Sequence, residues 1–231
     1  MPSAQHVEID EGIPSNGDLH SLLREIRVSN VRNLNSLHCR GKVLFAEGEP
    51  ARGIYILRTG RAAVSISSSE GKIVILRMAQ SGDVLGLNSV LRSSSYDTTV
   101  KTLEPCWTDF VSRDELNELM EKSPAGAQAV LKLLSHEVTE LVDRSRSLLL
   151  LQTVTARLAR LLLQWSKGPE VARVVRIDKV FTHEEIAQMI CSSRETVTRL
   201  LASLSRRSII QITPNSILIR DRAALEEMAA G

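Results

Sequence analysis

Arg194, Glu195 and Arg199, close together near the start of one short helical stretch, are the side chains best suited to reading hydrogen-bond patterns on another molecule. At about 100° per residue, Arg194, Thr198, Ala202, Glu195, Arg206 and Arg199 share an arc of about 140°, and Val197, Leu200, Leu201 and Leu204 fill the opposite arc. One face is apolar and inward; the other is free and mostly basic. A guanidinium fork matches O6 and N7 of guanine, and a carboxylate accepts from N4 of cytosine. Ser192, Ser193 and Thr196 cluster where helix N–H groups are unpaired, which suits phosphate oxygens. The plainer reading of this face is a solvated surface on which Glu195 pairs with Arg199 one turn on.

Such a face can be presented only if its back is held by neighbouring elements, and the flanking sequence supplies them. Residues 182–190 read as a helix opened by a T-x-x-E capping box (Thr182, Glu185), and residues 192–207 as a second opened by S-x-x-E (Ser192, Glu195). Two apolar runs, 209–212 and 217–219, flank Thr213, Pro214, Asn215 and Ser216, giving a β-hairpin with its turn at the tip. Helix, short turn, helix and hairpin make a winged helix-turn-helix. Arg206, Arg207 and the wing turn 213–216, ending at Ser216, are further candidates for phosphate contact. Ahead of this unit, a helix starts near Thr153 with Leu158, Leu161, Leu162 and Trp165 on one face, and stops at Lys167, Gly168 and Pro169.

The first half has a different texture. Short apolar stretches at 43–45, 54–57, 62–66, 73–78, 84–87, 98–103 and 106–111 alternate with turn residues, and glycines recur at 48, 53, 60, 71, 82 and 86. Regularly spaced short strands point to an antiparallel barrel or sandwich. Residues 114–121 make a short helix, and Ser123 with Pro124 opens a longer one. There Ala127, Leu131, Leu134, Val138, Leu141, Ser145 and Leu148 alternate spacings of four and three, with Glu137, Glu140, Asp143, Arg144 and Arg146 beside them. That is a heptad seam suited to pairing two copies of the chain; packing on the chain's own barrel is the alternative. Residues 1–16 lack periodicity and read as a frayed leader; Asp18 or Ser21 then caps a short helix through Leu22, Leu23 and Ile26. The expected organisation is a leader (1–17), an antiparallel β domain (18–122), which the resemblance described below implies to be a β-roll sensor, a dimerisation helix and hinge (123–152) and a winged domain (153–231). The fold class is α+β.

Composition narrows the function classes. The 231 residues are 43% apolar and 24% charged, which excludes disordered and collagen-like chains. Residues 1–143 hold 15 basic and 19 acidic side chains, and the remainder 14 and 8, so the net charge of +2 conceals an acidic first half and a basic second half. A basic C-terminal half suits a polyanion. Cys39, Cys106 and Cys191 lie far apart without a C-x-x-C pair, the pattern of a reducing, cytoplasmic setting. No purely apolar run is longer than that of residues 148–151, far short of the roughly 20 residues of a membrane span. No H-E-x-x-H, G-x-S-x-G, Walker or G-x-G-x-x-G pattern occurs, and His183, Glu184 and Glu185 lack a second histidine, which argues against an enzyme.

The segments Glu185-Ile186-Ala187 and Ser193-Arg194-Glu195-Thr196-Val197-Thr198-Arg199-Leu200-Leu201 resemble the cyclic-AMP receptor and fumarate–nitrate regulator (CRP/FNR) family of bacterial transcription factors. The likeness runs from about Leu34 to Met228. It implies a homodimer on double-stranded DNA in which Arg194, Glu195 and Arg199 read a TGTGA-like half-site, His183 occupies a phosphate-contacting position, and RNA polymerase is a further partner, with residues 168–178 as a candidate surface. Cys191 stands where the family has a turn glycine. Gly48-Glu49, residues 53–57, Gly60 and residues 82–86 resemble the glycine-punctuated β-roll of cyclic-nucleotide-binding domains. In cyclic-AMP binders of this family a glutamate holds the ribose and an arginine pairs with the cyclic phosphate. Here Leu87 takes the glutamate position and Tyr96 or Asp97 the arginine position, and the adenine-facing positions fall near residues 141–143, all of which argues against cyclic AMP. Gly86, Leu87, Asn88, Ser89, Tyr96, Asp97 and Thr98, with Arg92 and Ser93 to Ser95 nearby, outline a candidate effector pocket for an unidentified ligand; a solvated loop is the alternative. No cysteine before Cys39 supports an iron–sulfur cluster. Haem remains open, with His38, Cys39, Cys106 and His136 as ligand candidates by type. A haem- or thiol-sensing regulator of the same family, and a ligand-binding scaffold without specific DNA binding, are the alternative functions.

Overall fold

The computed structural model describes residues 22–23, 34–150, 153–166, 175–178, 181–214 and 216–230, and in the long helix the side chains of 143, 144 and 146–150 are outside that set. The expected leader, the caps at Asp18 and Ser21, Ile26, hinge residues 151–152 and the helix stop at 167–169 lie outside the described residues. The class is α+β. The chain divides into two compact units, residues 1–66 with 77–138, and residues 67–76 with 139–231.

Residues 34–112 carry two four-stranded sheets. One orders β1 (Leu34–His38), β8 (Cys106–Ser112), β3 (Gly53–Thr59) and β6 (Val84–Leu85). The other orders β2 (Val43–Phe45), β7 (Thr99–Thr102), β4 (Ala62–Ser67) and β5 (Ile73–Ala79). Ile54, Ile56, Leu57, Leu85, Val100 and Val111 are buried in the core between them. The run 84–87, expected as strand, is shorter: Gly86 adopts φ 81°, and Leu87 starts helix α1 (Leu87–Leu91). A Cβ at Gly86 would sit 2.8 Å from the Tyr96 ring, so both the backbone angle and the space select glycine. Strand β1 carries no alternating pattern of its own. It exists because β8 pairs with it residue for residue, Leu34 with Phe110 through His38 with Cys106.

Ser112 opens α2 (Arg113–Lys122) with a capping box to Glu115, and Ser123 accepts from the Gly126 N–H at the start of α3 (Pro124–Leu150). Helix α3 carries two apolar stripes. Gly126, Ala129, Val130 and Leu133 are buried, so the helix does pack on its own barrel. Of the heptad residues, Ala127 is half-buried and Leu134 packs partly against the core, whereas Leu131, Val138 and Leu141 are 62%, 59% and 55% exposed and Ser145 is exposed. The side chain of Leu148 is outside the described set.

In the second unit, α4 (Val154–Trp165), α5 (His183–Met189), α6 (Arg194–Arg206) and α7 (Arg222–Ala230) surround a three-stranded sheet of order β10 (Ile210–Ile212), β11 (Ser216–Ile219) and β9 (Val175–Asp178). Helix α7, absent from the sequence reading, packs along α4 and buries Leu225.

Among the described residues, the non-glycine residues with positive φ share one job. Ser93, Cys191 and Ser208 (φ 52°, 50° and 59°) each follow the C-cap of α1, α5 or α6. In each case the next N–H bonds back to the third-last helical carbonyl: Ser94 to Ser89, Ser192 to Ala187, Ile209 to Leu204, at 2.9–3.2 Å. These are Schellman closures made without glycine. Cys191→Gly and Ser208→Gly should each raise stability by about 1 kcal/mol, the approximate cost of a side chain in the left-handed region; urea titrations with unchanged midpoints would refute this.

A buried ion pair joins neighbouring strands: the Arg58 Nε–H donates to Asp109 Oδ2, and Arg58 Nη1 is buried without a hydrogen-bond partner. Asp109→Ala leaves that cation uncompensated and should cost about 3–5 kcal/mol, whereas Arg58→Met with Asp109→Leu should fall near wild type or above it. Equal losses in single and double variants, read by denaturant unfolding, would overturn this expectation.

Candidate nucleic-acid interface and sensor pocket

Helix α5 starts at Thr182, whose hydroxyl accepts from the Glu185 N–H while the Glu185 carboxylate accepts from the Thr182 N–H at 2.6 Å. Its other end is tied to α4, where Arg157 Nε–H donates to the Ile190 carbonyl at 2.9 Å. Trp165 stacks on Phe181 at 4.6 Å, a second tie between the end of α4 and the start of α5. Neither contact is visible as a sequence pattern.

The cap of α6 differs from expectation by one residue. Ser193, not Ser192, accepts from the Thr196 N–H at 3.2 Å, and the Ser193 and Thr196 hydroxyls lie 3.1 Å apart. Because Cys191 takes the left-handed position, Ser192 is used in closing α5 and the new helix starts one residue later. Glu195 is therefore not the capping carboxylate. Hydrogen bonds from its own backbone N–H, then from the Ser193 hydroxyl, hold its carboxyl below the ordinary range, so it is ionised at neutral pH.

Val197, Leu201 and Leu204 are buried, with Leu200 half-buried, opposite an outer face on which Arg194, Glu195, Thr198, Arg199, Ala202 and Arg206 are exposed. Among the described residues, neither the Arg194 nor the Arg199 guanidinium is hydrogen-bonded or ion-paired, and the alternative Glu195–Arg199 pair is not made. His183 is half-buried, and its Nδ1 lies 2.8 Å from Thr198 Oγ1, a contact between α5 and α6 that spacing alone does not reveal. Thr198 Oγ1 in turn donates to the Arg194 carbonyl at 2.9 Å. Arg207 is exposed at the C-cap of α6. Ser216 is buried and shares a 2.8 Å hydrogen bond with the Thr213 hydroxyl, leaving Pro214 as an exposed residue of the wing turn; Asn215 lies outside the described residues. Of the connection 168–178, only 175–178 are described, as β9.

In the β unit, the two residues that could align with a phosphate-binding arginine point to different environments. Tyr96 is buried, stacks on Phe45 at 3.9 Å, and donates to the Gly53 carbonyl at 2.6 Å. Burial holds its phenol above the ordinary range, so it stays neutral. Tyr55 lies 5.7 Å from Phe45 and 4.9 Å from Phe110, extending this into a four-ring cluster. Asp97 is exposed and receives Asn88 Nδ2–H at 3.0 Å, the Ser89 hydroxyl at 3.2 Å and Arg92 at 3.5 Å. Leu87 is buried in the core and Thr98 is half-buried. The polar groups beside α1 therefore already hold an anion of their own.

Two of the residues named as haem candidates, His38 and Cys106, have partners within the β unit. His38 Nε2 lies 2.9 Å from the Thr108 hydroxyl, and burial, followed by the Lys42 charge, lowers its pKa. The Cys106 thiol is buried, donates to the Arg61 carbonyl at 3.3 Å, and is pushed up chiefly by burial. Cys39 and His136 are exposed. Among the described residues, no three His, Cys, Asp or Glu side chains form a metal-binding group, and no helix is long and apolar enough to cross a membrane.

Comparison with known proteins bears on both units. Residues 38–123 match the cyclic nucleotide-binding domain model, and residues 156–228 match the Crp-like helix-turn-helix domain model. The CRP-like cAMP-activated global transcriptional regulator of Mycobacterium tuberculosis is 28% identical over 192 residues, covering 82% of this chain and 85% of the relative. The anaerobic regulatory protein of Bacillus subtilis is 26% identical, covering 87% and 83%. The solved structure of FixK2 from Bradyrhizobium japonicum, 23% identical, superposes with a TM-score of 0.73 over 86% of this chain and 98% of that one, a likeness of fold. With a cyclic-nucleotide-binding β domain ahead of a Crp-like helix-turn-helix, this chain belongs to the CRP/FNR family of transcriptional regulators, which are DNA-binding proteins and not enzymes.

Proposed function

We propose that the chain is a cytoplasmic homodimer that binds a pseudo-palindromic DNA site of TGTGA-like half-sites, with α6 of each copy in a major groove. The observation that carries this reading is the outer face of α6, where Arg194, Glu195 and Arg199 are exposed together and, among the described residues, neither guanidinium group is hydrogen-bonded or ion-paired. Arg194 and Arg199 suit guanine O6 and N7, and the ionised Glu195 suits cytosine N4. Thr182, His183, Ser192, Ser193, Thr196, Arg206 and Arg207 surround these groups with candidates for phosphate contact; Ser216 supports the wing turn from inside. Two such helices would lie about 34 Å apart, one turn of duplex. The dimer reading is supported by the open stripe Leu131, Val138 and Leu141 on α3. Contact with RNA polymerase, over residues 168–178, follows from the family alone.

For the sensor, we infer that cyclic AMP is not the effector. Asp97 puts a negative charge against Asn88, Ser89 and Arg92, and a buried Leu87 offers no acceptor to a ribose hydroxyl. The curated relative from M. tuberculosis is described as cAMP-activated; in our reading this chain carries Leu87 and Tyr96 or Asp97 where cyclic-AMP binders carry a glutamate and an arginine.

Fluorescence anisotropy with a palindromic TGTGA duplex tests the reading. Arg199→Ala should cost roughly 1–3 kcal/mol on that duplex and little on random DNA; equal loss on both would reassign Arg199 to phosphate. Binding with neither sequence preference nor salt dependence would sink the transcription-factor reading. Val138→Asp, at a position exposed in the single chain, should halve the mass in sedimentation without unfolding the protein, and an unchanged mass would remove the seam. Millimolar cyclic AMP should leave the DNA affinity unaltered, and a tighter complex in its presence would overturn the sensor assignment.

A further inference from the structure

We propose that Thr198 reads a thymine through its γ-methyl group because its hydroxyl is already engaged within the protein; this rests on the DNA-reading role of α6. A threonine hydroxyl has one proton to donate. Here that proton goes to the Arg194 carbonyl, four residues back, at 2.9 Å. His183 Nδ1 approaches the same oxygen at 2.8 Å from α5, and since the hydroxyl proton is in use, the imidazole must be the donor. The Thr198 oxygen is thus held on two sides, against its own helix backbone and against a neighbouring helix. Yet the residue is exposed, on the arc between Arg194 and Arg199. What it offers outward is the methyl group.

The consequence for recognition is selective. Guanine O6 and N7, adenine N7 and thymine O4 all need a donor, and Thr198 has none left to give. The apolar feature on the major-groove edge of a base pair is the thymine C5 methyl. Arg194 and Arg199 would each claim a guanine, and Thr198 between them would favour thymine at the intervening pair. His183 acts as a positioning residue, holding the hydroxyl away from the groove.

Full-length protein is first used to enrich a sequence from a random duplex pool. Anisotropy titrations then compare that duplex with versions in which thymines are replaced one at a time by deoxyuridine, which removes only the C5 methyl. Wild type should lose about fourfold in affinity at one thymine per half-site, the equivalent of one buried carbon group. Thr198→Ser, which keeps the hydroxyl and loses the methyl, should bind the thymine and uracil duplexes equally, and Thr198→Val should retain the difference. Specific binding that no replacement weakens, or a Thr198→Ser variant that still discriminates, overturns the inference and leaves the DNA reading standing. A pool that yields no enriched sequence overturns the DNA reading itself and this inference with it.

Discussion

Val197, Leu201 and Leu204 are buried on one side of a helix whose other side is almost wholly exposed, and the rest of the C-terminal unit depends on that asymmetry. Each such side chain contributes about 1.5–3 kcal/mol when withdrawn from water. The helix is therefore fixed in rotation by its apolar stripe, and the opposite arc can be given to charged groups that pack against nothing. Ile186, Ala187 and Ile190 are buried on α5, and the contacts of α6 with α5 and β10 hold it in place. The capping hydroxyls of Thr182 and Ser193, and the Arg157 donor at the end of α5, satisfy backbone groups that would otherwise compete for those same outer side chains.

The β unit uses aromatic packing for a comparable purpose. Phe45, Tyr55, Tyr96 and Phe110 form one cluster, anchored by the Tyr96 hydroxyl on Gly53. With Tyr96 drawn inward, its neighbour Asp97 faces outward, where it meets Asn88, Ser89 and Arg92. Burying the one side chain and exposing the other thus decides both roles at once. A sensor fold of nucleotide-binding type can in this way keep its glycine turns while its polar donors bond an internal carboxylate.

Helix α3 illustrates how two readings of one pattern can both be physical. Its buried stripe (Gly126, Ala129, Val130, Leu133) and its heptad stripe (Leu131, Val138, Leu141) lie on different faces. Packing on the barrel uses the first stripe and leaves the second open. The heptad was legible because its spacing is regular over three repeats, whereas the short buried stripe involves small residues that leave little mark in a hydropathy pattern.

Some local chemistry was legible: the capping box at Thr182, the wing turn, and the two-sided character of α6 follow from side-chain types at fixed spacings, because hydrogen bonds and helix faces within a few residues are set by backbone geometry. Strand β1 and helix α7 were not legible, since β1 is held by pairing with β8 and α7 by packing on α4. The Schellman closures at Ser93, Cys191 and Ser208 were hidden by the absence of glycine, and the one at Cys191 moved the α6 cap from Ser192 to Ser193. The different environments of Tyr96, buried in the core, and Asp97, exposed beside α1, were set by which side chain the barrel core could bury. The bond from His183 to Thr198 joins residues fifteen apart on different helices. Only tertiary structure could decide it, because whether a hydroxyl is free to meet a base depends on what the fold has already placed beside it.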